Sequence, residues 1–448
     1  MDLEGHTRRF LSHPDIACRL ADRILEWKSI PRERALALAE AVLAEVRATE
    51  AVGPPLRPEL SGVTMGRFGV GSRGAGDQLV HRLIAGVIGP ARAVLGAKDL
   101  DDAGVVRIAR GPGVAVAVDG IHSRLSDFPL LAGFHAARAA VRDLYVTGAA
   151  PVALFSDIHL ADDGDVAKIF DFVAGVAALG KAASVPYVSG STLRIGGDMV
   201  IGDRLSGGVG AVGVVKRLLP RRAARPGDLL LTTEGAGGGT ISATALCHGR
   251  PGVVEETLNI RFVRAAEALL RSPLIPRIHA MLDITNGGIR GDAAELARAA
   301  GARVVIQPGE FQRRVNRRVL AMLEDLQIDP LGVSVDSLMV AAPPATVESL
   351  RALWKRRGIE SGVVGRLERG SGSFAEENGK VRPLDVKFRE SAYTPVKRVV
   401  GERPPEDLEA MRAQVEAAAR RAMKRRDWLA AKVQGRMARS APRKRRRS

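Results

Sequence analysis

Apolar residues recur along the chain with two distinct periods. In "PDIACRLADRILEWKSI" (14–30) and "RERALALAEAVLAEVRA" (32–48) they return about every 3.6 residues, which predicts two N-terminal helices. The three prolines of "VGPPLRPEL" (52–60) then break the pattern and mark a linker. Beyond the linker, short apolar runs alternate with helical ones. "VAVAVDG" (114–120), "VALFSDIHL" (152–160), "VPYVSG" (185–190) and "SGGVGAVGVVKRL" (206–218) read as strands. "GFHAARAAVRDLYVTG" (133–148) and "DVAKIFDFVAGVAALGKAA" (165–183) read as helices.

A second half opens at the Pro-Gly-Asp turn of "ARPGDLLLTT" (224–233). "EGAGGGTISATALCHG" (234–249) reads as a glycine-rich strand-to-helix passage. "HAMLDITNGGIRGDAAELARAAGARVVIQ" (279–307) reads as strand, turn, helix, strand. "LGVSVDSLMVAAP" and "GIESGVVGRLERG" supply further strands around the helix "TVESLRALWKRRG". Polarity rises after about residue 372. "LEAMRAQVEAAARRAMKRRDWLAAKVQ" (408–434) predicts one long amphipathic or fully exposed helix. The pattern gives an N-terminal helical extension (1–58), two α/β units (59–218 and 219–372) and a tail (373–448).

Composition sharpens this division. The net charge is +17, and residues 401–448 carry 15 Lys/Arg against 6 Asp/Glu, so the tail alone holds +9. Its end, "RKRRRS", is a solvated block that attracts polyanions, and as such is an extension first and a nucleic-acid contact second. No run of about 18 apolar residues predicts a membrane span. The start, "MDLEGHTRRFLSHPD", has no apolar leader core, which predicts a cytoplasmic location. Cys18 and Cys247 form no disulfide framework and no metal-ligand spacing.

Candidate chemistry concentrates at glycines and strand ends. In "GRFGVGSRGAGDQLVHRLIA" (66–85), Gly69, Gly71 and Gly74 match G-x-G-x-x-G, but no strand precedes them and no G-K-[ST] follows. The loop is therefore either a flexible entrance or a place where backbone N–H groups approach an anion, with Arg67 and Arg73 adding charge. Asp119 ends an apolar strand, where α/β proteins place ligands; it is a cation ligand or an Asp-Gly turn residue. Asp143 lies opposite the stripe Phe134, Ala137, Val141, Leu144, on a face that meets either water or another layer. "DITNGG" (283–288) and "EGAGGG" (234–239) are two tight turns or the two sides of a second anion pocket. His122, His135 and His159 lack ligand spacing, and Cys247 beside His248 reads as core.

The order of these motifs resembles the aminoimidazole ribonucleotide (AIR) synthetase superfamily, including its selenophosphate-synthetase-related archaeal members. The resemblance rests on the glycine loop, "VDGIHS", "AARAAVRDLYVTGAAPVAL", "VSGSTLR", "VGAVGVV", "GDLLLTTEGAGGGTIS", "DITNGGIRGDAAELA" and "GVVGRLERG", and covers about residues 62–370. It implies an α/β (α+β) fold of two domains, the first halves of two chains sharing a β-barrel in a homodimer. It implies ATP and Mg²⁺ as cofactors and activation of a small molecule by phosphorylation. Asp119 and Asp143 would be the catalytic and metal-holding residues. Gly69, Gly71, Ser72, Arg73, Gly74 and Gly76 would bind phosphates with them. Gly237, Gly238, Asp283, Asn286 and Gly287 would lie near substrate. Ser191 departs from the family's acid or histidine in "GG(D/E/H)T", which keeps open a non-catalytic nucleotide-binding protein. The glycine loop lacks the cysteine of selenophosphate synthetases, and the chain end lacks that of the carbamoyl dehydratases.

Overall fold

The computed structural model describes residues 1–440 apart from Pro58, Arg110 and Asn286. The N-terminal extension contains three helices, Leu3–Arg9, Ile16–Leu25 and Arg32–Glu50. The first was not expected; its signal is the cap residue Asp2, whose carboxylate accepts from Gly5 N at 2.9 Å. Leu20, Ala21 and Ile24 pack on Ala35, Ala39 and Val42, and Ile201 completes this small core. Lys28 anchors the unit through Asp162 and Asp163, at 2.5 and 2.6 Å.

The first sheet holds β1 (Gly104–Arg107), β2 (Gly113–Gly120), β3 (Ala149–Leu160), β4 (Tyr187–Arg194) and β5 (Leu205–Val215), in the order β1-β2-β5-β3-β4. All neighbours are antiparallel except β3 and β4. Helices Pro129–Val146 and Ala167–Ala183 cover one face. They approach closely because Gly133 and Gly175 carry no side chain; a Cβ on either would overlap a carbonyl oxygen of the other helix. The opposite face is open and apolar, with Val118 73%, Val188 62% and Leu193 57% exposed. One chain thus supplies an open five-stranded sheet and not a closed barrel.

The second sheet holds β6 (Leu229–Thr233), β7 (Ala280–Asp283), β8 (Arg303–Ile306), β9 (Leu338–Ala342), β10 (Ser361–Glu368), β11 (Gly372–Glu377) and β12 (Lys380–Pro383). Their order is β12-β11-β8-β10-β6-β9-β7. β7 and β9 are buried along their whole length. The expected boundary at 372 falls at the start of β11, which pairs in parallel with β8, so the sheet runs on to Pro383. Charged strand residues at the sheet edge, such as Glu376 and Arg382, mimic a tail in sequence.

The segment after β12 forms an arm that returns to the first half. Its last helix, Leu408–Ser440, is not fully exposed: Met411 is buried against Phe68 and Leu79 of the glycine-loop region. Three of its arginines bond to carbonyls of the same chain. Arg421 donates to Glu59 O, Arg425 to Pro55 O (2.6 Å) and Arg426 to Val87 O (2.6 Å). These contacts draw much of the basic helix into intramolecular work; "RKRRRS" lies outside the described residues. Among the described residues no helix is long and apolar enough to cross a membrane.

Candidate functional site

Period-2 alternation along β2 buries Ala115 and Ala117 and turns Val116 and Val118 outward, so Asp119 projects from the sheet's helix-covered side. Above it runs helix Pro129–Val146, buried on nearly every side between the sheet and the second half. The face carrying Asp143 therefore meets another layer and not bulk water. Asp283 ends β7 and enters the same space from the second half. Together they line a cleft of about 680 Å³, with Asp102, Arg142 and Arg73 also in its wall. That volume is in the range of small-molecule and cofactor sites.

The charges in the cleft are unevenly matched. Arg138 and Arg142, one helical turn apart, are both buried and both bond to Asp336, Arg138 at 2.8 Å. Arg142 also stands 3.3 Å from Asp283. Arg138 donates further to the carbonyls of Thr257, Asn259 and Gly237. Burial opposes the charge on Asp336, but Arg142 and Arg138 outweigh it and hold the carboxyl below its usual range. Arg221 likewise pairs with Asp102 and Glu295. Asp143 has the opposite balance. Burial, and then the negative charges of Asp283, Asp119 and Asp102, push its carboxyl well above the usual range. Burial raises Asp119 too, against the pull of Arg73 and Arg142. One corner of the cleft thus has more carboxylate than cation.

That corner fits a divalent ion that brings its own ligands. Among the described residues, no group of three or more His, Cys, Asp or Glu is placed to hold a metal alone. Mg²⁺, however, takes one or two carboxylates and completes its shell with phosphate and water. Asp119 and Asp143 are two such carboxylates, and a cation there would offset the burial and the neighbouring negative charge that raise them.

The glycine loop differs from the expectation in detail. Gly69, Gly71 and Arg73 adopt left-handed backbone (φ 73°, 77° and 52°). The N–H groups of Gly71 and Arg73 do not point to open space. Both donate to the buried carboxylate of Asp77, that of Gly71 at 2.6 Å. A Cβ on Gly76 would overlap the Phe68 carbonyl, and one on Gly74 the Phe388 carbonyl. Gly69, Gly71, Ser72, Gly74 and Gly76 do not line the cleft; the loop delivers Arg73 to it. The glycines answer to close packing within the loop and against residues 387–390.

Of the residues read from the second half, Asp283 lines the cleft and Gly287 sits under the Arg73 carbonyl, where a Cβ would overlap it. Gly237 and Gly238 adjoin the Arg138–Asp336 pair and not the main cleft. Asn286 lies outside the described residues. Ser191 is exposed on the edge strand β4, paired in register with Asp157 of β3. Asp198 and Asp203, the acids nearest it in sequence, pair with Arg194 and Lys168. His122 bonds to Tyr393 Oη at 3.0 Å and burial pushes it down to about 3. His135 bonds to Ser242 at 2.9 Å. Arg138, Arg142, Asp102, Arg221 and Asp336 were missed. The i,i+4 arginines within an alanine-rich helix were a readable signal; Asp336 was not.

Comparison with known proteins gives this geometry a family. The chain matches the model "AIR synthase related protein, N-terminal domain" over residues 100–215 and its C-terminal counterpart over 225–377. It is 49% identical over 446 residues to an uncharacterized protein of Methanocaldococcus jannaschii, covering 96% of this chain and 97% of the relative. It is 30% identical over 225 residues to the selenide, water dikinase of Myxococcus xanthus, covering 48% of this chain and 60% of that enzyme. A solved structure described as AaThiL complexed with AMPPCP and TMP superposes with a TM-score of 0.54 at 18% identity, over 71% of this chain and 97% of that one, and shares the fold. With both domain models matched in order and a full-length relative at this identity, the chain belongs to the AIR synthase-related family.

Proposed function

We propose that the protein is a Mg²⁺- and ATP-dependent enzyme that phosphorylates or otherwise activates a small molecule. The observation that carries this reading is the under-neutralised corner formed by Asp119 and Asp143, in a nucleotide-sized cleft that Arg73 also lines. The relatives support it: one is named a dikinase, and one shares the fold in complex with an ATP analogue. Bound Mg²⁺ would supply charge neutralisation for the phosphates. In this reading Asp119 and Asp143 hold that ion in their ionised forms. Arg73, in the wall of the same cleft, offsets phosphate charge. Arg142, fixed by Asp336 and Asp283, presents a cation that needs no reorganisation as charge moves, which is the main demand of phosphoryl transfer. Asp283, which lines the cleft from the second half, faces the acceptor substrate.

Calorimetric titration tests this directly. Wild type should bind Mg²⁺–ATP, and Asp119→Asn should weaken it by about tenfold or more, since one carboxylate ligand is lost. Unchanged affinity in the variant removes Asp119 from the site. The open apolar face of the first sheet supports a homodimer in which a second copy covers it. Ser191 favours one rival, a nucleotide-binding protein without catalysis. ATP turnover with any member of a metabolite panel excludes that rival.

A further inference from the structure

The arm lies past the matched family domains, which end at residue 377, yet it packs against the loop that brings Arg73 to the cleft. Between β12 and the last helix it threads between the glycine loop and the second half. Glu390 N donates to Ser72 O at 2.8 Å, Ala75 N donates to Lys387 O at 3.2 Å, and Ser391 N donates to Gly332 O at 3.1 Å. The ring of Phe388, 7% exposed, packs over Gly69. Tyr393 closes the inner side through His122. Arg73 stands where these meet. It lines the main cleft with Asp119 and Asp143, a smaller cavity with Asp119, His122 and Asp336, and a third with Glu390 and Lys387.

Two features show that Arg73 is held in a particular place. Its backbone is left-handed, which a non-glycine residue adopts only where its surroundings impose it, and the Asp77 carboxylate imposes it here. Its surroundings also carry opposite charge on two sides, Asp119 from the first sheet and Glu390 from the arm. Glu390 is itself 6% exposed. One of its oxygens accepts from Lys397 at 2.8 Å, and the other is buried without a hydrogen-bond partner. A buried carboxylate with an unused oxygen is costly unless a nearby cation compensates it.

We propose that the arm is a working part of the phosphate site, and that Glu390 is a positioning residue that sets the Arg73 guanidinium for the anionic portion of the ligand. The inference rests on the nucleotide reading above. It goes beyond it by assigning a role to a segment outside both family domains.

The test compares Mg²⁺–ATP with AMP, which lacks the outer phosphates, on wild type, Glu390→Gln and Glu390→Asp. The Gln variant should bind ATP about tenfold more weakly, the low end of what loss of an orienting partner costs, and AMP less than about twofold more weakly. The Asp variant, which keeps the charge, should recover most of the ATP affinity. Equal weakening of ATP and AMP, or an Asp variant no better than Gln, reduces Glu390 to a packing role and overturns the proposal. If wild type binds neither nucleotide, the nucleotide reading fails, and amide exchange at Gly71 and Arg73 then decides the arm's role. Glu390→Gln and Phe388→Ala should each speed that exchange by about tenfold, because loop opening no longer works against the arm. Wild-type exchange rates in both variants overturn the proposal.

Discussion

Asp143 shows how one residue can weaken the empty protein and, in the proposed site, serve the loaded one. Its carboxyl is raised above the ordinary value of 3.8 by burial and three neighbouring acids. Just above that ordinary value the unfolded chain has lost the proton while the folded chain keeps it. The folded state then binds more protons, so stability falls as pH rises through the raised value. Without ligand, the stability cost of Asp143, read as the difference between wild type and Asp143→Asn, should therefore grow as pH increases above about 4, and Mg²⁺ with nucleotide should reduce it. Asp143→Asn should raise Tm at pH 7–8 by about 2–4 °C, the shift that ~1 kcal/mol gives in a domain of this size, while weakening Mg²⁺–ATP. A scanning-calorimetry series across pH checks both; a Tm that drops in the variant contradicts the electrostatic account. Strand and turn patterns put Asp119 and Asp283 at strand ends, as found, whereas the helix period left Asp143 facing either water or another layer, and only the packing of the second half decides that. It could not show Asp336, whose pairing with Arg138 spans 198 residues.

At the level of elements, the helix Ala75–Ile88 and its loop were legible, but the reason for the glycines was not. A cluster of glycines reads as a surface for phosphate, and here it is a surface for the chain's own arm. The distinction is measurable by chemical denaturation of three variants. Gly74→Ala must displace the Phe388 backbone and should cost about 1–3 kcal/mol, the usual price of overpacking. Gly71→Ala has open space around its Cβ but a φ of 77°, so only backbone strain of about 1 kcal/mol is expected. Gly66→Ala lies in a helical turn with nothing near it and should stabilise by up to about 1 kcal/mol. A loop that served only phosphate would show no special sensitivity at Gly74 in the ligand-free protein.

For the whole molecule, two α/β halves could be read from the repeated strand, glycine turn and helix. The return of the arm could not, since no local pattern encodes contacts across 300 residues. The open sheet face raises a second global question. Val118→Asp places a charge on it, and by sedimentation it should convert a dimer to monomers while leaving the fold intact. A wild type that sediments as a monomer removes the shared-sheet dimer. The arm itself has a consequence in time. Arg67 meets Asp407 across 340 residues of chain, and Arg426 reaches Val87 across 339. At about 5–20 residues per second of synthesis, the loop that carries Arg73 waits roughly 15–70 s for the residues that fasten it. Both family domains can be folded and waiting before the ribosome has delivered the arm, so a chain cut short near residue 383 would look complete by family and still have the loop that carries Arg73 unfastened.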